Sequence, residues 1–375
     1  MKILSFGDLH LDSAFSGAKA PERAERRELL RSVFLNIMKL CSSNKCDLLL
    51  IAGDLFDTPE PAEETLRMVG KELSSLGIPV VISPGNHDPY RVVGIYDVIA
   101  GIANNVHVFK NEELEAIELE SIGVTVEGYA FLSDELRKNP LDAPVNTSDK
   151  IKILNAHTDM VSGSEYAGFS CADIEKHGYV FASLGHVHSR SGRIESEKTV
   201  AVFSGVVQGR SIDEPRSGGV FLTEIEEGSV VFTEQIPVSL WDNCIYEIDV
   251  CGVSSDAELL RRIFAETEVN GVEKFDVIRI ILVGEIGLEY EPNTDHLLSK
   301  LEGGFPDVSF SIKDKTETKI DGEALRSDPS LFGVLYRALF ESERFVSTYD
   351  EDTRKRAFRL AVRALQGNDI NPDNI

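Results

Sequence analysis

The chain has 375 residues, 42% of them hydrophobic, with a formal net charge of -25 and five cysteines. That length and apolar content support a globular protein of two or three domains, and an odd cysteine count without a close Cys-x-x-Cys pair argues against a disulfide framework or a cysteine-based zinc site. The acid excess argues against unaided binding of nucleic acid, which needs Lys and Arg against phosphate, although metal ions and a partner subunit would supply that charge.

Met1-Lys2-Ile3-Leu4-Ser5-Phe6 is too short for a signal peptide and runs straight into Gly7-Asp8. With no apolar stretch of membrane length after it, the expectation is a cytoplasmic protein without membrane contact. Lys2 to Phe6, Asp47 to Ala52 and Pro79 to Ser83 are short continuous apolar runs, as expected of strands buried on both faces. One helix is predicted from near Pro21, with Leu30, Val33, Phe34, Ile37, Met38 and Cys41 at helical spacing, and a second from Pro61 to Gly77. This βαβαβ opening predicts a layered α/β domain. From Val106 strands dominate, and the last, GGVFLTEIEEGSVVFTEQI, is broken by a Glu-Gly turn that predicts a hairpin. The first domain is expected to cover 1–240. A small α/β domain, 241–322, follows from strand Ile245 to Val250, helix Asp256 to Glu268, strand Asp276 to Val283, helix Thr294 to Leu301 and strand Val308 to Lys313. A helical region, 323–375, closes the chain. Its first amphipathic helix is predicted to turn Leu331, Val334, Leu335, Ala338 and Leu339 inward, and its second runs from about Asp352 to Gln366.

Polar clusters fall where these strands end: Gly7-Asp8-Leu9-His10, Ala52-Gly53-Asp54, Gly85-Asn86-His87-Asp88, then His157 and Gly185-His186-Val187-His188. Carboxyl ends of parallel strands are where α/β sheets place sites. Imidazole nitrogen with carboxylate or amide oxygen suits divalent Mn, Fe, Zn or Ni, and one bridging carboxylate lets two cations sit close together. In Asp-x-His and His-x-His, alternate residues share one side of an extended backbone and can converge. Taken singly each cluster reads as a cap, a turn or a core hydrogen bond. A given tetrapeptide such as Gly-Asn-His-Asp, however, arises by chance in only about one in a thousand chains of this size.

In this order the motifs resemble the calcineurin-like metallophosphoesterase superfamily, with its D-x-H, G-D, G-N-H-[DE], lone His and G-H-x-H, over roughly the first 240 residues. Within it they most resemble the SbcD-type DNA repair nucleases, through Asp8-Leu9-His10-Leu11, Gly53-Asp54-Leu55-Phe56-Asp57 and Gly85-Asn86-His87-Asp88. The resemblance implies a four-layer sandwich with a small capping domain and C-terminal helices. It implies that Asp8, His10 and His188 hold one metal, Asn86, His157 and His186 the other, and that Asp54 bridges them. His87 would then face the scissile phosphate with Asp88 orienting its ring, and a hydroxide held between the metals would attack phosphorus. Manganese is the expected ion, with Fe, Zn, Ni or Mg as alternatives. DNA is the expected substrate, an SbcC-type coiled-coil ATPase the expected partner, and a homodimer the expected assembly.

Three departures bear on this. Asp12 and Ser13 replace a more usual Gly and resemble a YhaO-like bacterial subgroup with D-L-H-L-D-S. Asp57 stands where archaeal and eukaryotic relatives carry a histidine implicated in exonuclease action. Ser204-Gly205-Val206-Val207-Gln208-Gly209-Arg210 resembles the subgroup's P-G-x-x-Q-G-R, so Arg210 is a candidate contact to substrate phosphate, with a structural salt bridge as the alternative. Arg354, Lys355, Arg356, Arg359 and Arg363 mark a candidate docking helix or a solvated basic face. The competing enzyme readings are a phosphatase or a cyclic-nucleotide phosphodiesterase of the same superfamily. A non-catalytic scaffold is disfavoured because every expected ligand is present.

Overall fold

The computed structural model describes residues 1–365 apart from 17, 19, 148–149, 190–192, 197 and 215–217. The chain divides into two compact units, Met1–Asn243 and Cys244–Ile375.

In the first unit, β1 (Lys2–Phe6), β2 (Leu48–Ile51), β3 (Val80–Ile82) and β4 (Val106–Val108) lie side by side and parallel. Their connections are α1 (Ala20–Ser43), α2 (Glu63–Leu76) and α3 (Ile95–Ile102), as a βαβ chain requires. α2 stops where Gly77 takes the left-handed conformation at φ 67°, which confirms the glycine stop read from the sequence. The expected hairpin is β11 (Val220–Glu226) and β12 (Ser229–Ile236), joined through Glu227 and Gly228, both at positive φ as a tight hairpin turn demands. β11 pairs with β1 and completes a six-stranded sheet, β12-β11-β1-β2-β3-β4.

A second six-stranded sheet, β5-β6-β7-β8-β10-β9, is built from β5 (Glu115–Leu119), β6 (Val124–Gly128), β7 (Ile151–Thr158), β8 (Phe181–His186), β9 (Arg193–Glu195) and β10 (Val200–Phe203). α4 (Cys171–His177) buries Ile174 in its apolar cluster, among Tyr129, Phe131, Leu154 and Phe169. Buried polar side chains tie the two sheets together. Asn155 of β7 donates to Ile51 O (2.9 Å) and Val81 O (3.2 Å), and Ser83 Oγ donates to Tyr129 O and Asn155 O at 2.8 Å each. Each such bond contributes only about 1 kcal/mol, but an orphaned buried partner costs about 1–3 kcal/mol, so the pairing fixes the relative placement of β2, β3 and β7. Those are the strands whose ends deliver Asp54, Asn86 and His157.

The second unit opens with a three-stranded sheet, β13 (Asn243–Asp249), β14 (Val277–Ile286) and β15 (Ser309–Thr318), interleaved with α5 (Asp256–Asn270) and α6 (Thr294–Gly304). α7 (Gly322–Ser327), α8 (Leu331–Phe340), α9 (Glu343–Val346) and α10 (Glu351–Leu365) follow. α8 buries only part of the stripe expected of it, Leu339 in the apolar cluster with Leu335 packed against it. Gly333, Tyr336 and Leu339 face inward, while Leu331 and Val334 are 66% and 50% exposed. The inward face is set by the aromatic rings, since Tyr336 and Phe340 pack on Phe358 of α10. Among the described residues no helix is long and apolar enough to cross a membrane.

Candidate metal centre

Asp8, His10 and Asp54 follow strand ends and His186 closes β8, and all four adopt positive φ, at 53°, 51°, 50° and 92°. That conformation strains any residue with a Cβ and persists only where the surroundings enforce it. Here the loops brace one another, with Asp8 N donating to Gly53 O (3.0 Å) and His10 N to Asp54 O (2.9 Å). Glycine is needed at 53 and 85 for a different reason, because a Cβ would run into the His157 ring from Gly53 and into the Asp54 carboxylate from Gly85.

Asp88 plays a part other than the one expected. Its carboxylate is fully buried and accepts from Asp54 N (3.2 Å), Phe56 N (3.0 Å), Gly85 N (2.8 Å) and Tyr96 OH (2.5 Å), so it staples the loops after β2 and β3 together. It makes no bond to the His87 ring, since those four donors use its oxygens. His87 turns Nδ1 to Asp57 O instead, at 3.2 Å. Asp12 has a similar bracing task, its oxygens accepting from Ala62 N and Thr65 Oγ1 at 2.8 Å each and so fixing the start of α2.

The donors converge in two groups. Asp8, His10, Asp54 and His188 offer ligand atoms all within 4.8 Å of one another, with His10 Nε2 and His188 Nε2 3.2 Å apart. Asn86 Oδ1 lies 2.9 Å from His157 Nε2 and 3.3 Å from His186 Nδ1. Asp54 belongs to both groups, its Oδ2 being 3.6 Å from His10 Nε2 and 3.4 Å from His157 Nε2.

Hydrogen-bond polarity tests whether these residues suit cations. His10 Nδ1 lies 3.1 Å from Asp57 Oδ1, His188 Nδ1 2.9 Å from Glu214 Oε1 and His157 Nδ1 2.9 Å from Ala52 O. Carbonyls and ionised carboxylates only accept, so each Nδ1 carries the proton and each Nε2 turns a lone pair inward. Lone pairs facing carboxylate and amide oxygens at these distances need a cation, or an added proton, between them. Burial works against charge on His157, but Asp54 and Asp8 outweigh it and raise its pKa to about 9, so a proton supplies part of the missing charge. Burial lowers His10 to about 4, and burial followed by the His157 charge does the same to His186. Burial lifts the Asp8 carboxyl to about 6 against the pull of His157. Burial would lift Asp54 too, yet His157 and His10 hold it well below the ordinary carboxylate range. The donor set fits a pair of divalent cations.

Two outer residues complete the picture, and the sequence pointed to neither role. Asp57 backs His10, and Glu214 backs His188; the only sequence signal for Glu214 is a carboxylate four residues beyond Arg210. Arg210 joins them, its Nη1 2.6 Å from Asp57 Oδ1 and its Nη2 2.8 Å from Glu214 Oε1, so of its two readings the structure favours the salt bridge. On α10 most of the basic side chains are likewise engaged within their own unit. Arg359 pairs with Glu317 (2.5 Å), Arg363 with Glu291 (2.8 Å) and Lys355 with Glu351 (2.8 Å), while Arg354 lies over the Phe340 ring. Arg356 is exposed.

Two stacked sheets with carboxylates, imidazoles and an amide gathered at strand ends define a metal-dependent hydrolase of the layered α/β kind. Residues 1–190 match the calcineurin-like phosphoesterases, and the chain belongs to that family. It is 27% identical over 263 residues to the uncharacterized metallophosphoesterase YhaO of Bacillus subtilis, covering 66% of this chain and 63% of that protein. The DNA double-strand break repair protein Mre11 of Aeropyrum pernix is 24% identical over 267 residues, covering 66% of this chain and 64% of that one. The chain thus spans somewhat under two thirds of the length of these curated relatives. The crystal structure of a dimetal phosphatase from Danio rerio superposes with a TM-score of 0.38 at 10% identity, over 60% of this chain and 93% of that one.

Proposed function

We propose that this chain is a metal-dependent DNA phosphodiesterase of the SbcD and Mre11 kind. In this reading Asp8, His10 and His188 hold one cation, Asn86, His157 and His186 hold the other, and Asp54 is shared. The observation that carries it is the Asp54 carboxylate lying between two imidazole groups, 3.6 Å from His10 Nε2 and 3.4 Å from His157 Nε2. Two divalent cations held there would lower the pKa of water from about 15.7 towards about 7 and would neutralise charge on a phosphodiester. The protein's own contribution is to hold the donors in register and to present His87. With Nδ1 donating to Asp57 O, His87 leaves Nε2 unengaged on a ring that is 42% exposed, where the imidazolium form would carry the second proton that passes to the departing oxygen.

The match to Mre11 supports DNA as substrate. An acidic chain of net charge -25 lacks the phosphate affinity of an autonomous DNA-binding protein, which supports a partner, an SbcC-type coiled-coil ATPase, that supplies it. The same reading makes 1–240 the nuclease domain of a cytoplasmic homodimer, 241–322 its cap and 323–375 the region that docks on the ATPase, with manganese as the working ion. A second reading, favoured by the acidity alone, takes a small phosphodiester or a phosphoprotein as substrate. Turnover with manganese of linear DNA, cyclic nucleotides and phosphopeptides, with and without the ATPase, separates the two. DNA ends are expected to be consumed; absence of DNA cleavage in both conditions would retire the nuclease reading.

Loading the site must displace the proton on His157, which is held up to about pH 9 in the metal-free protein. Because this pKa is raised, cation affinity is expected to climb about tenfold per pH unit below about 9 and to level off above it. The slope steepens below about 6, where Asp8 is protonated as well. Calorimetry in buffers of differing ionisation enthalpy reads the released proton directly. Loading without proton release near pH 7.5 would remove His157 from the ligand set.

A further inference from the structure

We propose that Asp57, Arg210 and Glu214 form a clamp that sets the affinity of one cation position, the one built from Asp8, His10 and His188, independently of the other. The proposal rests on the two-cation reading above and deepens it.

The contacts close a ring. His10 Nδ1 meets Asp57 Oδ1 at 3.1 Å, and the same oxygen meets Arg210 Nη1 at 2.6 Å. Arg210 Nη2 meets Glu214 Oε1 at 2.8 Å, and that oxygen lies 2.9 Å from His188 Nδ1. His188 Nε2 returns to His10 Nε2 at 3.2 Å. Glu214 is fixed further, its Oε2 accepting from Arg210 N (2.8 Å) and Arg210 Nε (3.3 Å). The side chains of Asp57, Arg210 and Glu214 are only 17%, 15% and 13% exposed, so solvent screens these contacts weakly.

A carboxylate behind an imidazole fixes the ring's orientation and strengthens its other nitrogen as a donor. Here both imidazoles of one cation position have such a carboxylate, and one guanidinium spans the pair. The rigid fork of Arg210 therefore sets the distance between the two carboxylates, and through them the gap between the two Nε2 atoms that the cation must fill. A lysine in its place offers a single point charge and cannot make the same span. The other position is built differently. His157 leans on the backbone carbonyl of Ala52, and the His186 ring lies 4.2 Å from that of Tyr166. Asp57, Arg210 and Glu214 are thus positioning residues for one cation.

Manganese titration of the full chain, followed by calorimetry and by electron paramagnetic resonance, tests this on the wild type, Arg210→Lys and Glu214→Gln. Both substitutions are expected to weaken one of two binding steps by about 10–100-fold and to leave the other unchanged. At limiting manganese the signal of a spin-coupled pair gives way to that of an isolated ion. Asp57→Asn opens the ring from its other side and replaces any variant whose metal-free form fails to melt cooperatively. Equal weakening of both steps, or no change in either, overturns the clamp while leaving the two-cation reading intact. A wild type that binds no pair of cations overturns that reading and the clamp with it.

Discussion

Asp54→Asn is expected to cut phosphodiester turnover by at least about 10³-fold, roughly 4 kcal/mol of barrier. In the two-cation reading Asp54 is the bridging ligand, and its Oδ2 lies 3.6 Å from His10 Nε2 and 3.4 Å from His157 Nε2, the position from which one carboxylate would hold two cations in register. Asparagine keeps the size and keeps an oxygen for the His87 N–H that Asp54 Oδ1 now accepts at 2.9 Å, so the loops retain their bracing. What disappears is the negative charge, and the metal-free protein reports that separately. Of the two carboxylates that hold the His157 pKa near 9 against burial, Asp54 is the stronger, so in the variant the ring titrates well below that value by nuclear magnetic resonance. Loss of turnover and a lowered His157 together locate the defect at the shared ligand. A variant that retains two tightly bound cations and turnover within tenfold of wild type would remove Asp54 from the bridging position.

The parts of the site visible in the sequence are those fixed by local chemistry. Short apolar runs mark β1, β2 and β3 because strands buried on both faces have no polar side, and the residues that follow each run are therefore strand-end residues. Strand ends yield the polar clusters, and the resemblance to the metallophosphoesterases picks Asp8, His10, Asp54, Asn86, His157, His186 and His188 out of them; the structure gathers those seven side chains at one place. Contacts between distant segments were out of reach. Asp57 to Arg210 spans 153 residues, and no periodicity relates them. Asp88 was misread for a related reason. Standing next to His87 in sequence, it looks like a partner for that ring, but consecutive residues in a tight loop point apart, and its oxygens go to the backbone of the β2 loop and to Tyr96. The face of α8 was legible only in part: Leu339 is buried as expected, but Leu331 and Val334 stay exposed because the inward face follows ring contacts with Phe358 of α10, which lies outside the helix's own sequence.

His87→Gln carries the second large effect, an expected loss of about 10²–10⁴-fold in turnover with both cations still bound. The ring stands at the edge of the cluster, its centroid 4.8 Å from that of His10; it lies outside the group formed by Asp8, His10, Asp54 and His188 and gathers instead with His10 and Asp57. Its backbone N–H already serves Asp54, so the side chain is free to act on substrate without disturbing the shared carboxylate. Glutamine can keep the bond to Asp57 O through its amide, but it cannot exchange a proton near neutral pH. The loss should therefore depend on the leaving group. A phosphodiester that expels an alkoxide needs a proton at the departing oxygen and should suffer the full effect. One that expels nitrophenolate leaves without a proton and should be nearly indifferent to the change. Equal losses with both substrates would assign His87 to binding or charge stabilisation rather than proton transfer, and loss of a cation in the variant would make it a ligand.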